Sequence, residues 1–202
     1  MITVRETPLA GVLCIEPVVH RDERGVFLET YQRHAYREAG VDVDFVQDNH
    51  SRSHKGVLRG FHYQDMSAPM AKLVRCVSGV ILDVVVDLRV GSPTFGKTFN
   101  AQLSGDNHLQ LLVPVGFGHA FLALSEAADV EYKCSGYYDP SAEATIVWND
   151  PEIAAAWPIP NPIISAKDAR GMTLAEYRTR PAFRAPTPTL TRKRGRERSG
   201  MA

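Results

Sequence analysis

Apolar and polar residues alternate along this chain in short runs, with the period of two that marks a half-buried strand. Such runs fall at 11–18, 26–31, 43–47, 57–63, 72–77, 79–88, 96–103, 109–113, 119–125 and 128–135, punctuated by Gly, Pro, Asp and Asn. The stretch 79–89 is β-branched and apolar on both faces, which predicts a central strand rather than an edge. Residues 57–63 read as a strand on which Val57, Phe61 and Tyr63 alternate, and the polar residues 50–56 read as the turn leading into it. Helical signal is confined to 32–39, closed by Gly40, and to 172–178. Evenly spaced antiparallel strands with a few short helices predict an all-β fold, a double-stranded β-helix or jelly roll.

One run contains a conflict. Arg59 and His62 differ by an odd number of positions, so an unbroken strand would point them to opposite faces. Polar groups on an otherwise apolar strand are best used in one cavity, and Gly60 between them is where a bulge is sterically cheap.

At 202 residues and 44% apolar content the chain can bury one substantial core. Net charge is zero, but unevenly spread: residues 1–177 carry 15 basic and 22 acidic side chains, a net of −7, while 178–202 carry eight Lys/Arg and one Glu. We therefore divide the chain into a domain at 1–177 and a basic Pro/Arg-rich tail at 178–202, expected to be disordered and dispensable. The cluster Arg192-Lys193-Arg194-Gly195-Arg196 could meet nucleic acid, but no aromatic or helical recognition element accompanies it, so a solvated tail is preferred. An anionic ligand of the acidic body would need a local cluster of cations. Cys14, Cys76 and Cys134 are odd in number and embedded in apolar runs, which favours buried thiols and a cytoplasmic location. There is no secretory pattern at the start, and no apolar run approaches the ~18 residues of a membrane span.

Seven segments carry a resemblance. Phe45-Val46-Gln47-Asp48-Asn49-His50, Val57-Leu58-Arg59-Gly60-Phe61-His62-Tyr63-Gln64, Lys72-Leu73-Val74-Arg75-Cys76, Gly91-Ser92-Pro93-Thr94-Phe95-Gly96, Gly116-Phe117-Gly118-His119, Glu131-Tyr132-Lys133 and Ser165-Ala166-Lys167-Asp168 occur in this order. Together, from about residue 2 to about 176, they resemble the cupin nucleotide-sugar epimerases of the dTDP-4-dehydrorhamnose 3,5-epimerase family. The resemblance implies a cupin jelly roll, a homodimer, and dTDP-4-dehydro-6-deoxyglucose as substrate. It implies His62 as general base, Asp168 as the carboxylate that fixes its tautomer, Tyr132 as the opposing acid and Lys72 as stabiliser of the enolate oxygen. It further implies substrate contacts from Arg24, Phe27, Glu29, Gln47, Asn49, Arg59, His119, Glu143 and Lys167. Arg24 and Arg59 are the natural pyrophosphate partners, since a guanidinium fork suits phosphate oxygens. In the family an N-terminal portion of one subunit reaches the other's site, so Arg24, Phe27 and Glu29 are expected to act in trans.

Cupins often hold a metal. Pro114-Val115-Gly116-Phe117-Gly118-His119 has the spacing of a second cupin motif, but the first would need His-x-His, and two positions after His62 stands Gln64. A transition metal wants three or four converging ligands, so no metal and no cofactor are expected. This weighs against the rival reading of a metal-dependent cupin oxygenase. A non-catalytic nucleotide-sugar binder is disfavoured by base, acid and enolate stabiliser occurring together. A relative that inverts only one centre would use the same residues. Taken singly, each residue has a plainer role: His62 and Tyr132 as core residues with satisfied polar ends, Asp168 as a helix cap, Arg24 as a turn charge. Asp83 and Asp87 are read as structural hydrogen-bonding groups.

Overall fold

The computed structural model describes residues 2–185. In chain order its elements are β1 (Thr3–Glu6), β2 (Leu13–Glu16), β3 (Val19–Asp22), β4 (Gly25–Leu28), α1 (Arg33–Glu38), β5 (Gln47–His54), β6 (Leu58–Gln64), β7 (Lys72–Ser78), β8 (Val80–Asp87), β9 (Thr98–Ser104), β10 (Gln110–Val113), β11 (Phe117–Ala123), β12 (Ala127–Cys134), β13 (Glu143–Thr145), a 3-10 turn (Asp168–Arg170) and α2 (Leu174–Thr179). A six-stranded sheet runs β1-β2-β10-β7-β12-β5, a five-stranded sheet runs β13-β6-β11-β8-β9, and β3 and β4 form a separate hairpin. Within the two large sheets the pairings are antiparallel, the arrangement expected of a jelly roll.

Alternation along the strands sorts their side chains. Val74, Cys76, Ile81, Val85, Phe121 and Val130 fill the space between the two large sheets. Phe61, Tyr63, Val84, Val86 and Ala120 point the other way, where the C-terminal part of the chain covers them with Ile146, Leu174, Tyr177 and Phe183. β8 is thus apolar on both faces, as its sequence predicts, and lies inside the sheet between β11 and β9.

Two expectations need correction. Of residues 50–56 only Lys55 and Gly56 form the turn: β5 spans Gln47–His54 and pairs with β12 over its whole length. The predicted strand at 43–47 is the approach to it. Here the alternation is between polar residues, Gln47, Asn49, Ser51 and Ser53 on the more buried side and Asp48, His50, Arg52 and His54 exposed, so hydropathy carries no signal. The boundary at 177 is also too early. Phe183 is 4% exposed and its N–H donates to the Tyr177 hydroxyl, while Arg184 bridges to Val90. Residues 178–185 therefore belong to the fold; the rest of the expected tail, with the basic cluster at 192–196, lies outside the described residues. The short helices fall close to their predicted places, α1 followed by Gly40 at φ +92° and α2 opened by a capping box from Thr173 and Glu176.

Candidate functional site

His62 lies near the end of β6. Across β6 and β11, His62 stands opposite His119 and Arg59 opposite Phe121, so three steps along β6 match two along β11. β6 holds one extra residue, and this bulge brings Arg59 and His62 to the same cavity, resolving the parity conflict in the sequence. Gly60 within it has φ +114°, and a Cβ would sit 2.3 Å from the His119 carbonyl oxygen, so a side chain has no room.

The Nε2 atom of His62 lies 2.7 Å from Oδ1 of Asp168, which is 3% exposed. The Gly60 N–H donates to the second carboxylate oxygen at 3.4 Å. Burial alone would raise the Asp168 pKa, but the His62 hydrogen bond and charge and the Gly60 N–H outweigh it, and the group sits below the usual carboxylate value. An ionised carboxylate only accepts, so it selects the tautomer with hydrogen on Nε2 and leaves the Nδ1 lone pair free. Asp168 opens the 3-10 turn, and its own N–H is held by the Ser165 hydroxyl at 3.0 Å.

His62 lines two clefts. One, of about 340 Å³, is walled by Arg59, Ile163, Ser165, Lys167 and Asp168. The other, of about 80 Å³, is walled by Asn49, Met70, Lys72, Tyr132, Tyr138 and Glu143. Lys72 and Tyr132 point between the sheets from β7 and β12, with the ammonium 5.6 Å from the ring centroid. Burial depresses the Lys72 pKa, opposed by the nearby Cys134 and Glu143. Burial, then the Cys134 thiol, raises that of Tyr132 against the pull of Asn49 and Arg59, so the phenol keeps its proton at neutral pH. Glu143 is also pushed up by burial, yet ends below its ordinary value because Lys167 and the Tyr138 hydroxyl bond to it. Gln47 donates to Asn49 at 3.0 Å and accepts from the Tyr138 N–H at 3.1 Å. A separate cavity of about 190 Å³ around His50, Arg75, Gln110 and Glu131 shares Asn49 and Tyr132 with the second cleft but contains neither His62 nor Lys72 nor Asp168; its own histidine, His50, pairs with the carboxylates of Asp129 at 3.0 Å and Glu131 at 3.7 Å.

The expected residues are not all gathered. His119 is 6% exposed, with its Nε2 2.8 Å from Asp83, itself fully buried, so only the other ring nitrogen is left for a ligand. Asp87 is spent on Arg89, Ser92 and Thr94. Arg24 and Phe27 belong to the hairpin β3–β4, whose cleft is formed by residues 20–27 alone. Phe27 is 72% exposed, and among the described residues Arg24 pairs only with neighbouring Asp22. Neither Arg24, Phe27 nor Glu29 lines the clefts around His62. Three contributors escaped the sequence reading. Tyr138 and Met70 sit in loops with no pattern of their own, whereas Gln64 shares the parity of His62 and was legible as cavity-facing. Among the described residues no group of three His, Cys, Asp or Glu is placed to hold a metal ion.

A jelly roll whose interior presents a histidine–carboxylate pair, a half-buried tyrosine and a half-buried lysine is the framework of a cupin-type sugar-nucleotide isomerase. Residues 6–176 match the family model for dTDP-4-dehydrorhamnose 3,5-epimerase. The chain belongs to that family. A protein of that name from Shigella flexneri is 46% identical over 176 residues, covering 87% of this chain and 97% of its own. Another, from Neisseria gonorrhoeae, is 48% identical over 85% of this chain, which spans about half, 52%, of that longer protein. Among solved structures, the Legionella pneumophila 3,5-epimerase in complex with dTDP-4-keto-L-rhamnose superposes with TM-score 0.88 and 42% identity, over 93% of this chain and 100% of that one. ChmJ, a 3'-monoepimerase from Streptomyces bikiniensis in complex with dTDP-quinovose, gives 0.81 and 38%, over 86% and 90%.

Proposed function

We propose that this chain inverts C3 and C5 of dTDP-4-dehydro-6-deoxy-D-glucose to give dTDP-4-dehydro-L-rhamnose. The observation that carries the reading is the 2.7 Å contact of buried Asp168 with His62, whose ring also lines the cleft that holds Lys72 and Tyr132. The C4 ketone acidifies the hydrogens on C3 and C5. Nδ1 of His62 takes one of them, the electron pair moves onto the ketone oxygen as an enolate, and the Lys72 ammonium stabilises that charge. The Tyr132 hydroxyl returns a proton to the opposite face of the same carbon; solvent then takes the proton from His62 and restores one to Tyr132, and the cycle repeats at the second carbon. No electrons leave the sugar, so the steps balance without a redox partner.

Arg59 and Lys167 supply cations on the His62 side for the diphosphate, with Gln47, Asn49, Glu143 and His119 completing the sugar-nucleotide contacts. Arg24, Phe27 and Glu29 stand apart from the clefts around His62, and an exposed hairpin bearing an aromatic ring is suited to enter the site of a second copy. We therefore take the working unit to be a homodimer with shared sites. The free thiols Cys14, Cys76 and Cys134 support a reducing, cytoplasmic setting. The likeness to a 3'-monoepimerase supports the single-centre alternative. Incubation with the 4-keto sugar in heavy water separates the two: deuterium at both C3 and C5 with the L-configured product is expected, and label confined to C3 with C5 uninverted would reject double epimerisation.

A further inference from the structure

Gln64 closes β6 two residues after His62, so strand alternation sends its side chain to the cavity side, where it is 6% exposed. Its Nε2 donates to the carbonyls of Ala68, at 2.7 Å, and Tyr137, at 3.3 Å, while its Oε1 accepts the Asp139 N–H at 2.8 Å. Both amide hydrogens are thereby used. The three backbone partners lie in two loops, residues 65–71 between β6 and β7 and residues 135–142 between β12 and β13. Each loop supplies one wall of the cleft, Met70 from the first and Tyr138 from the second, and Tyr138 in turn bonds Glu143.

We propose that Gln64 is a positioning residue for the sugar-nucleotide site, clamping these two loops together so that Tyr138 and Glu143 face the cleft opposite His62. The assignment of that cleft rests on the function proposed above. The side chain must donate twice and accept once within a buried volume, which fits an amide and no other residue of its size. Glutamate would set a carboxylate against two carbonyl oxygens, and methionine would leave two carbonyls and an N–H without partners. Its position is the one where a metal-binding cupin would place the second histidine of His-x-His. Here that position ties loops instead.

The test compares Gln64→Glu, Gln64→Met and Gln64→Asn with wild type by hydrogen exchange and by steady-state kinetics on the 4-keto sugar. Amide exchange in residues 65–71 and 135–142 should rise about tenfold or more while β8 and β11 keep their protection. In Glu and Met variants KM should rise about tenfold with kcat within about threefold, the pattern of lost binding rather than lost chemistry. Gln64→Asn, which keeps the amide but shortens its reach, should fall between. Exchange rising throughout the sheets, KM unchanged, kcat falling with KM constant, or loss of soluble protein even for Asn would each overturn the proposal. Failure of wild type to epimerise would refute the reaction instead, leaving the exchange measurement to judge Gln64 by itself.

Discussion

Replacing Asp168 by Asn changes one oxygen to nitrogen, keeps the shape and removes the charge that faces His62. The carboxylate and imidazole touch at 2.7 Å, with the histidine side chain 26% exposed and the aspartate 4%. Charge centres roughly 4 Å apart at an effective dielectric of about 20 attract by about 4 kcal/mol once the imidazolium forms. At about 1.4 kcal/mol per decade this is on the order of 10³ in rate, and the remaining exposure of His62 reduces it towards 10². Both deuterium wash-in and epimerisation should slow together by that factor, because each begins with proton abstraction by His62. The variant should also be less stable by about 1–2 kcal/mol, from exchanging a charged for a neutral hydrogen bond. The folded pKa of Asp168 is depressed. The stability it contributes is therefore present above the unfolded value near 3.9 and lost as pH falls through the folded one. The Tm difference between wild type and Asp168→Asn should be constant near neutrality and shrink below about pH 4. Wash-in within about threefold of wild type would refute the dyad.

Tyr132→Phe keeps the ring and its packing but removes the donor, so deuterium wash-in should persist while inversion falls by roughly 10² or more; equal loss of both would remove Tyr132 from the acid role. Lys72→Ala should lower kcat more than it raises KM, since the enolate charge exists only after proton abstraction, and a pure KM effect would make Lys72 a binding residue. Truncation after residue 185 should leave melting and activity unchanged. Truncation after residue 177 removes buried Phe183 and should destabilise by about 3–5 kcal/mol, so equal melting of the two products would show that Phe183 does not seal the core.

How much of this was legible follows from what each segment buries. β8 could be read because Val80, Ile81, Leu82, Val84, Val85 and Val86 meet apolar neighbours on both sides. β5 could not, because its inward residues, Gln47, Asn49, Ser51 and Ser53, are as polar as its outward ones. The pairing of β3 with β4 was hidden in the same way by His20, Arg21, Asp22, Glu23 and Arg24, whose strand geometry owes little to core burial. His62 was legible from its motif, and the bulge from its parity with Arg59. The clamp at Gln64 needed coordinates, since its partners are backbone atoms that no side-chain pattern records. Phe183 was misjudged because charged and prolyl neighbours outweigh one aromatic ring in any window average.

The seal that Tyr177 and Phe183 place over Tyr63 and Leu88 bears on how the chain comes off the ribosome. The outer face of the β6–β11–β8 sheet is complete once β11 has been made, but its cover comes from residues after 145, the last of them Phe183. At about 5–20 residues per second, the roughly 60 residues separating the end of β11 from Phe183 take on the order of 3–12 s to synthesise. Through that interval a broad apolar surface carrying Phe61, Tyr63, Val84 and Val86 stands uncovered in a crowded cell. His62 meanwhile waits for Asp168, 106 residues away in the chain. Nascent chains halted before residue 168 would thus carry the base without its carboxylate and the sheet without its lid, which makes the late stage of translation the point at which this fold most needs protection from aggregation.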